Sequence, residues 1–263
     1  MSLNPACWTL LYLGANKVWK DRAFAEVQNL IAAYTNTVSS EPIHQRLSTI
    51  PISTWEDEMP VMESIIRETI RIVINGTALR RSVAGDVQIG DKTIDKGAFM
   101  AYNLGDVHLN KMFYPDPLKF DPDRFNVTNG GDTQGNAPFL GWGTGRHPCS
   151  GKLFLFFWFP LNSLNFDSGM KVAKLEIKMI LVLVLAQYEF KLVDASGDPS
   201  KQLPQPNRND IFQVCSSLQY LYLPNTDPDR HISRPDPLEN RASFITGRSR
   251  NKRAAEALFQ FHM

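Results

Sequence analysis

One segment constrains the fold more than any other part of the chain. Residues 139–151 read FLGWGTGRHPCSG, so four glycines surround a single cysteine, Cys149. Glycine has no Cβ, and the backbone can therefore turn sharply and approach a flat ligand closely. A loop of this kind can hold a thiolate against the iron of a haem, and amide groups that follow the cysteine would stabilise the negative sulfur. The alternative is a glycine-rich turn beside a buried free cysteine, which is the commoner case for an isolated cysteine.

Composition excludes several classes of function. The chain has 263 residues, 43% of them hydrophobic, which is enough for one large core or two modest ones. Lys and Arg total 28 against 27 for Asp and Glu, so we predict no nucleic-acid partner. The three cysteines (Cys7, Cys149 and Cys215) are too widely spaced for a zinc site or a disulfide framework. This usage fits a reducing compartment or a domain that faces the cytosol.

The chain carries no recognisable targeting segment. Its first residues have neither a basic stretch nor a small-residue cleavage site. The most apolar run, residues 153–164, is interrupted by Pro160 and is shorter than the roughly 20 residues that a membrane-spanning helix needs. We therefore expect no anchor or signal in this chain.

Hydrophobic periodicity predicts a mainly α protein with small β-sheets. We expect helix over residues 6–34, broken by a C-cap at 14–16, and over 170–185. A capping box at Ser53 and Glu56 predicts a further helix that ends near Ile74. Strands are expected at 98–103, 188–193 and 211–214, and residues 86–89 and 92–94 should form a hairpin. Residues 114–139, rich in Pro, Asp, Asn and Gly, should form an irregular but ordered meander.

Three motifs together resemble the cytochrome P450 family. The cysteine segment is similar to the family's F-x-x-G-x-R-x-C-x-G, with Trp142 in place of Phe and His147 in place of Arg. The His variant resembles the sterol demethylase branch and related fungal members. Residues 68–71, ETIR, match the family's E-x-x-R, a pattern that alone is expected about once by chance in a chain of this size. Residues 120–125, FDPDRF, match the meander motif, and the order of all three motifs is right.

The resemblance implies a role for each matching position. The fold would be the C-terminal portion of the P450 fold, incomplete, with Cys149 as the axial ligand of the haem iron. Three residues would form a structural network that locks the meander: Glu68, Arg71 and Arg124. Four residues would contact the haem cofactor, namely Arg81, His147, Trp142 and Gly145. For Arg81 and His147 the alternative, a surface cation, stays open, and His108 is expected to be structural.

The implied function is that of a haem-thiolate monooxygenase. Such an enzyme inserts one oxygen atom from O2 into an apolar organic substrate, with electrons from an NADPH-cytochrome reductase. The full-length family member would lie at the endoplasmic reticulum membrane. Two alternatives are a truncated, mis-spliced and non-catalytic fragment, and a member that catalyses rearrangement or dehydration. The resemblance covers roughly residues 5–215, about half of a family member, and leaves out the distal helix with its acid–alcohol pair.

Two boundaries follow from the same resemblance. Residues 1–224 would be the P450 part and 225–263 a disordered tail, whose arginines are expected to be solvated. Residues 152–169 interrupt the motif, since their removal joins Cys-Ser-Gly directly to Met-Lys-Val-Ala-Lys-Leu-Glu. We interpret them as a retained intron. The alternative is a lineage-specific loop.

Overall fold

Helices dominate the part of the chain that the structure, a computed structural model, describes. That part comprises residues 3–36, 39, 41–125, 139–143, 169–193, 198–200, 205–208 and 220–222. Five features named above lie outside it: the positions of Gly145, His147 and Cys149, residues 126–138 of the predicted meander, most of the proposed insert, the strand predicted at 211–214, and the tail.

The described elements follow one another in a simple order. The helices are α1 Leu3–Ala15, α2 Lys17–Tyr34, α3 Ile43–Leu47, α4 Ile52–Asp57, α5 Pro60–Val73, α6 Leu104–His108, a 3-10 helix Pro122–Phe125 and α7 Gly169–Gln187. The strands are β1 Thr77–Arg81, β2 Val87–Ile89, β3 Lys92–Ile94, β4 Phe99–Asn103, β5 Lys191–Val193 and β6 Tyr220–Tyr222. The predicted fold class, mainly α with small sheets, is confirmed.

Helix α5 lies at the centre of the hydrophobic core. Its apolar residues recur at helical spacing, and Met62, Ile65 and Ile66 are fully buried against α1 and α2. The same burial extends to the two charged residues of its Glu-x-x-Arg motif. Because α5 also contacts α6 and the 3-10 helix, it connects the core to the segment around residues 104–125.

The predicted start of this helix was wrong. Ser53 lies inside the short helix α4, and α5 begins at Pro60. A residue before proline is driven out of the helical region, so Met59, at φ −125° and ψ 61°, separates the two helices. Proline suits the first helical position because it has no N–H to leave unpaired. Glu26 of α2 caps α5 instead, accepting hydrogen bonds of 2.8 Å from the N–H groups of Val61 and Met62.

The first predicted helix is divided where expected, but by another mechanism. The prediction made Gly14 part of a C-cap, but Gly14 lies within α1, which ends at Ala15. Asn16 is the N-cap of α2, with its side chain accepting from the N–H of Trp19 at 3.4 Å. An Asn at this position satisfies an otherwise unpaired helical N–H group.

The described strands form three two-stranded antiparallel sheets. The predicted hairpin is confirmed, with Val87 opposite Ile94. β1 pairs with β4, which places Arg81 opposite Phe99. β5 pairs with β6, and the strand expected at 188–193 begins only at Lys191; the N–H of Tyr188 still donates a helical hydrogen bond to the Val184 carbonyl.

Helix α7 is confirmed and packs into the common core. Ile177, Leu181 and Val182 are fully buried there. Lys178 is also 2% exposed, and its ammonium donates to the Trp55 carbonyl at 2.8 Å and lies 3.4 Å from the Glu63 carboxylate. Within the described ranges, no helix combines the length and apolar character needed to cross a membrane.

Candidate functional site

A buried ion pair on α5 is the centre of the candidate site. Glu68 and Arg71 are three residues apart, so both lie on one face of the helix. Both side chains are 0% exposed. The guanidinium donates twice to the carboxylate, with Nε–Oε2 at 2.7 Å and Nη2–Oε1 at 2.9 Å. This bidentate geometry is the strongest form of the Arg–carboxylate interaction.

The remaining polar atoms of this pair hold the segment that follows the sheet. Arg71 donates from Nη1 to the His108 carbonyl at 2.6 Å and from Nη2 to the Pro117 carbonyl at 2.7 Å. Glu68 accepts from the N–H of Asp121 at 3.0 Å. Two buried side chains therefore position three points of the backbone between residues 108 and 121, where regular secondary structure is sparse.

Arg124 joins the same network from the 3-10 helix. Its Nε lies 3.4 Å from Oε1 of Glu68, and its Nη2 donates to the Asp116 carbonyl at 3.1 Å. The structure thus brings Glu68, Arg71 and Arg124 together. One carboxylate facing two guanidinium groups leaves the cluster positive, and removing that carboxylate would strand two cations in or near the core.

The five residues 139–143, called the loop stem below, lead toward Cys149. His108 accepts at Nε2 from the N–H of Leu140 at 2.9 Å. The stem then turns, with the N–H of Gly143 donating to the Leu140 carbonyl at 2.9 Å and Gly143 at φ +76°. Gly141 has no room for a side chain, since a Cβ there would overlap the side chains of Ile70 and Phe139.

Aromatic packing fixes the beginning of the stem. The Phe139 ring stacks on His108 with centroids 5.5 Å apart and planes 16° apart. The Arg67 guanidinium lies 4.9 Å from the Phe139 ring and 4.6 Å from the Phe125 ring. Cation–π contacts of this kind add to ordinary packing. Arg67 and Phe139 did not figure in the sequence-based site, although an aromatic at the start of the glycine-rich segment was a visible signal.

Trp142 connects the stem to α7. The Lys174 ammonium lies 6.0 Å from the Trp142 ring and pairs with the Glu63 carboxylate of α5. Trp142 Nε1 is buried and has no hydrogen-bond partner among the described residues. A helix on the far side of the proposed insert therefore contacts the stem that precedes the insert.

His108 is held in its neutral form by its surroundings. Burial, and secondly the positive charge of Arg71, lower its pKa from 6.5 to about 4. The side chain is fully buried. The imidazole is therefore uncharged near neutral pH, as its role as acceptor from Leu140 requires.

Arg81 lies apart from this network, at the end of β1. Its Nε donates to the Gly97 carbonyl at 3.0 Å, and its guanidinium lies 5.1 Å from the Phe99 ring. The neighbouring Leu79 and Phe99 are 59% and 68% exposed. The surface around Arg81 thus combines one cation with two exposed apolar side chains.

The fold is helix-rich with small antiparallel sheets. Its buried Glu-x-x-Arg pair holds an irregular segment and a glycine-rich stem, and this combination identifies a class of protein. The cytochrome P450 family profile matches residues 2–154, more than half of the chain. The chain therefore belongs to the cytochrome P450 family.

Individual relatives agree with this assignment. The chain is 31% identical over 185 residues to the cytochrome P450 monooxygenase AacuE of Aspergillus aculeatus, covering 69% of this chain and 33% of the relative. It is 30% identical over 189 residues to the cytochrome P450 monooxygenase nsrP of Aspergillus novofumigatus, with 70% and 33% covered. A solved structure, the cytochrome P450 CYP102L1, shares the fold with a TM-score of 0.60 at 20% identity, over 85% of this chain and 42% of the other. The chain spans about a third of these curated relatives, less than the half that the motifs predicted.

Proposed function

We propose that this chain forms the thiolate-bearing part of a haem monooxygenase, with Cys149 as the axial ligand of the iron. One observation carries the proposal. The buried Glu68–Arg71 pair, with Arg124, holds the backbone between residues 108 and 121, and His108, at the start of that stretch, contacts the stem that leads to Cys149. A structural network would thereby be connected to the ligand loop through backbone contacts.

The described residues fit a haem in two respects. Trp142 carries a buried indole N–H without a partner among the described residues, next to Gly141, which packs closely on Ile70 and Phe139. Arg81 presents a cation beside exposed apolar side chains, which suits an apolar ring with carboxylate groups. We therefore propose that Arg81 and His147 bind the haem propionates, while Trp142 and Gly145 pack on the thiolate side.

When bound, the haem would supply the chemistry that inserts one oxygen atom from O2 into a small apolar substrate. The chain's own residues would hold the thiolate, exclude water from it and neutralise the propionates. Electrons would come from an NADPH-cytochrome reductase, and the full-length protein would lie at the endoplasmic reticulum membrane. The variant His147 relates the chain to sterol demethylase-like members and supports no narrower substrate class.

Haem reconstitution tests the proposal. The chain is produced with haem, reduced and exposed to carbon monoxide, and its absorption is recorded. A red-shifted Soret band typical of thiolate ligation is expected for the unchanged chain and for the control variants Cys7→Ser and Cys215→Ser. Cys149→Ser should lose that band. Retention of the band in Cys149→Ser would contradict the assignment of the ligand.

A non-catalytic fragment is the second candidate, because the chain spans only 33% of the relatives AacuE and nsrP. A folded chain that takes up no haem, with all three cysteines intact, would support this candidate. Sequencing the gene upstream of Met1 then shows whether an open frame encodes the remaining part.

The proposed insert, residues 152–169, is open to an independent test. The family match ends at residue 154, and α7 begins at Gly169, the last residue of the insert. We propose that the segment is a retained intron. Sequencing mature transcripts should find messages without it, and its presence in every message would support the lineage-specific loop instead.

A further inference from the structure

His108 links three parts of the site through different atoms. Its carbonyl accepts from Arg71 of α5 at 2.6 Å, and its Nε2 accepts from the N–H of Leu140 at 2.9 Å. Its ring lies against Phe139 on one side, with Tyr114 edge-on at 6.4 Å. One residue at the end of α6 therefore joins the buried ion pair to the first residues of the loop stem.

The hydrogen bond to Leu140 fixes the protonation of the ring. A nitrogen that accepts from an N–H group carries no proton, so the neutral imidazole must carry its proton on Nδ1. Protonation of Nε2 would place two N–H groups face to face. The contact with Leu140 therefore exists only in the uncharged form.

The charges around His108 come from several elements. From α5, Arg71 lies closest, and Arg67 contacts the Phe139 ring, which stacks on His108. Glu68 neutralises part of this charge but is itself shared with Arg71 and Arg124 of the 3-10 helix. On its own helix, Asp106 is two residues away. In the described residues no carboxylate pairs with the imidazole, and its Nδ1 has no hydrogen-bond partner there, so a positive ring would lack a direct acceptor.

We propose that His108 is a positioning residue that holds the loop stem, residues 139–143, only in its neutral, Nδ1-protonated form, so that acid releases the stem from His108. The effect of this contact on the iron ligand Cys149 rests on the proposed function. The holding of the stem does not, and can be measured on the chain without haem.

The expected size of the effect follows from linkage. In the opened state the imidazole returns to its ordinary pKa of 6.5, whereas in the closed state its pKa is about 4. Protons therefore bind the opened state preferentially, and opening becomes more frequent as pH falls from 6.5 toward 4. Between pH 7.5 and pH 5.0 the opening equilibrium should rise roughly 30-fold.

Hydrogen exchange on the full chain measures this directly. The protection factor of the Leu140 amide, corrected for the intrinsic pH dependence of exchange, should fall roughly 30-fold between pH 7.5 and pH 5.0. In His108→Gln the amide oxygen replaces Nε2 as acceptor and does not titrate, so protection should persist and change less than about twofold. The matched control His44→Gln, at an exposed histidine on α3, should behave as the unchanged chain.

Two further measurements test the tautomer of His108 and its role as acceptor. In ¹⁵N spectra of the unchanged chain, the histidine signal missing from His108→Gln should show the Nδ1–H tautomer at pH 7. His108→Leu, which removes the acceptor, should lose Leu140 protection at both pH values. An Nε2–H tautomer, or an acid-induced fall that survives in His108→Gln, would overturn the proposal.

A spectrum of the haem-loaded chain separates this proposal from the proposed function. The thiolate signature should weaken reversibly on mild acidification in the unchanged chain and persist in His108→Gln. If the exchange results hold but no variant shows a thiolate signature, the haem proposal fails and the holding role of His108 stands.

Discussion

The network around α5 and the sheet formed by β1 and β4 differ in which side chains they bury. In the network, Glu68, Arg71 and His108 are 0% exposed, and each contacts backbone groups of another segment. In the sheet, Leu79 and Phe99 are apolar and yet 59% and 68% exposed, while the Arg81 guanidinium makes one hydrogen bond within the described residues, to the Gly97 carbonyl. In the network the charged side chains are buried, whereas in this sheet two apolar side chains are exposed.

This difference shows which residues determine how the backbone segments pair. A buried ion pair contributes little net stability compared with well-packed apolar residues, but it fixes which backbone groups come together. Exposed apolar strands are typical of surfaces that contact a ligand or another part of a protein. We therefore expect substitutions in the network to affect folding, and substitutions in the sheet to affect binding.

The largest effect is expected from Glu68→Gln. The change leaves two guanidinium groups without their carboxylate, a loss of about 3–5 kcal/mol for a broken buried ion pair. Urea unfolding followed by circular dichroism measures it. Asp21→Asn, in the exposed pair with Lys17, is the control and should change the free energy of unfolding by less than about 1 kcal/mol. Equal effects in the two variants would show that the network is not the centre of the fold.

The pH dependence of stability should be nearly as large. The pKa of His108 is lowered in the folded state to about 4 from 6.5. Its neutral form therefore stabilises the fold fully above pH 6.5, and this contribution decreases as pH falls toward 4. The total is about 3 kcal/mol, at about 1.4 kcal/mol for each pKa unit. Urea titrations at several pH values should show a flatter profile in His108→Gln, and an unchanged slope would contradict the burial of a neutral ring.

Gly141→Ala tests the close approach of the stem to α5. A Cβ at this position would overlap the side chains of Ile70 and Phe139, and overpacking of this kind costs about 1–3 kcal/mol. The control is Gly85→Ala in the turn before β2, where an added Cβ meets nothing within 4 Å. Thermal unfolding should separate the two variants, and a Gly141→Ala chain as stable as Gly85→Ala would mean that the stem is not pressed against the helix.

The sequence predicted the central residues of the network but not the residues that connect it to the stem and to α7. Helical spacing was enough to predict that Glu68 and Arg71 share a face, whereas Arg124 was joined to them only through the resemblance of its segment to the family's meander motif. The links of Arg67, Phe139 and Lys174 depend on how α5, the stem and α7 pack in three dimensions, which no local pattern encodes. The same limit explains the misplaced start of α5, whose cap is supplied by Glu26, 35 residues before Val61.

The hairpin of β2 and β3 was predicted because its pattern is local, whereas β1, the partner of β4, was not predicted. Alternation and turn residues identified β2, β3 and β4, whereas the exposure of Leu79 and Phe99 could not be read from strand propensity alone. For Cys149 the sequence is informative and the structure is not. Its motif gave the clearest chemical prediction, yet its own position lies outside the described residues.

The smallest effect on stability, and the sharpest contrast with the network, is expected from Arg81→Gln. The side chain is exposed and has one hydrogen bond of 3.0 Å to Gly97, so the free energy of unfolding should change by less than about 0.5 kcal/mol. If Arg81 binds a propionate, the variant should nevertheless retain haem more weakly, because the loss falls on a charge-assisted hydrogen bond. Haem transfer to apomyoglobin measures retention, with Arg80→Gln on the opposite face of the same strand as the control. Equal haem loss from both variants would return Arg81 to the alternative of a surface cation.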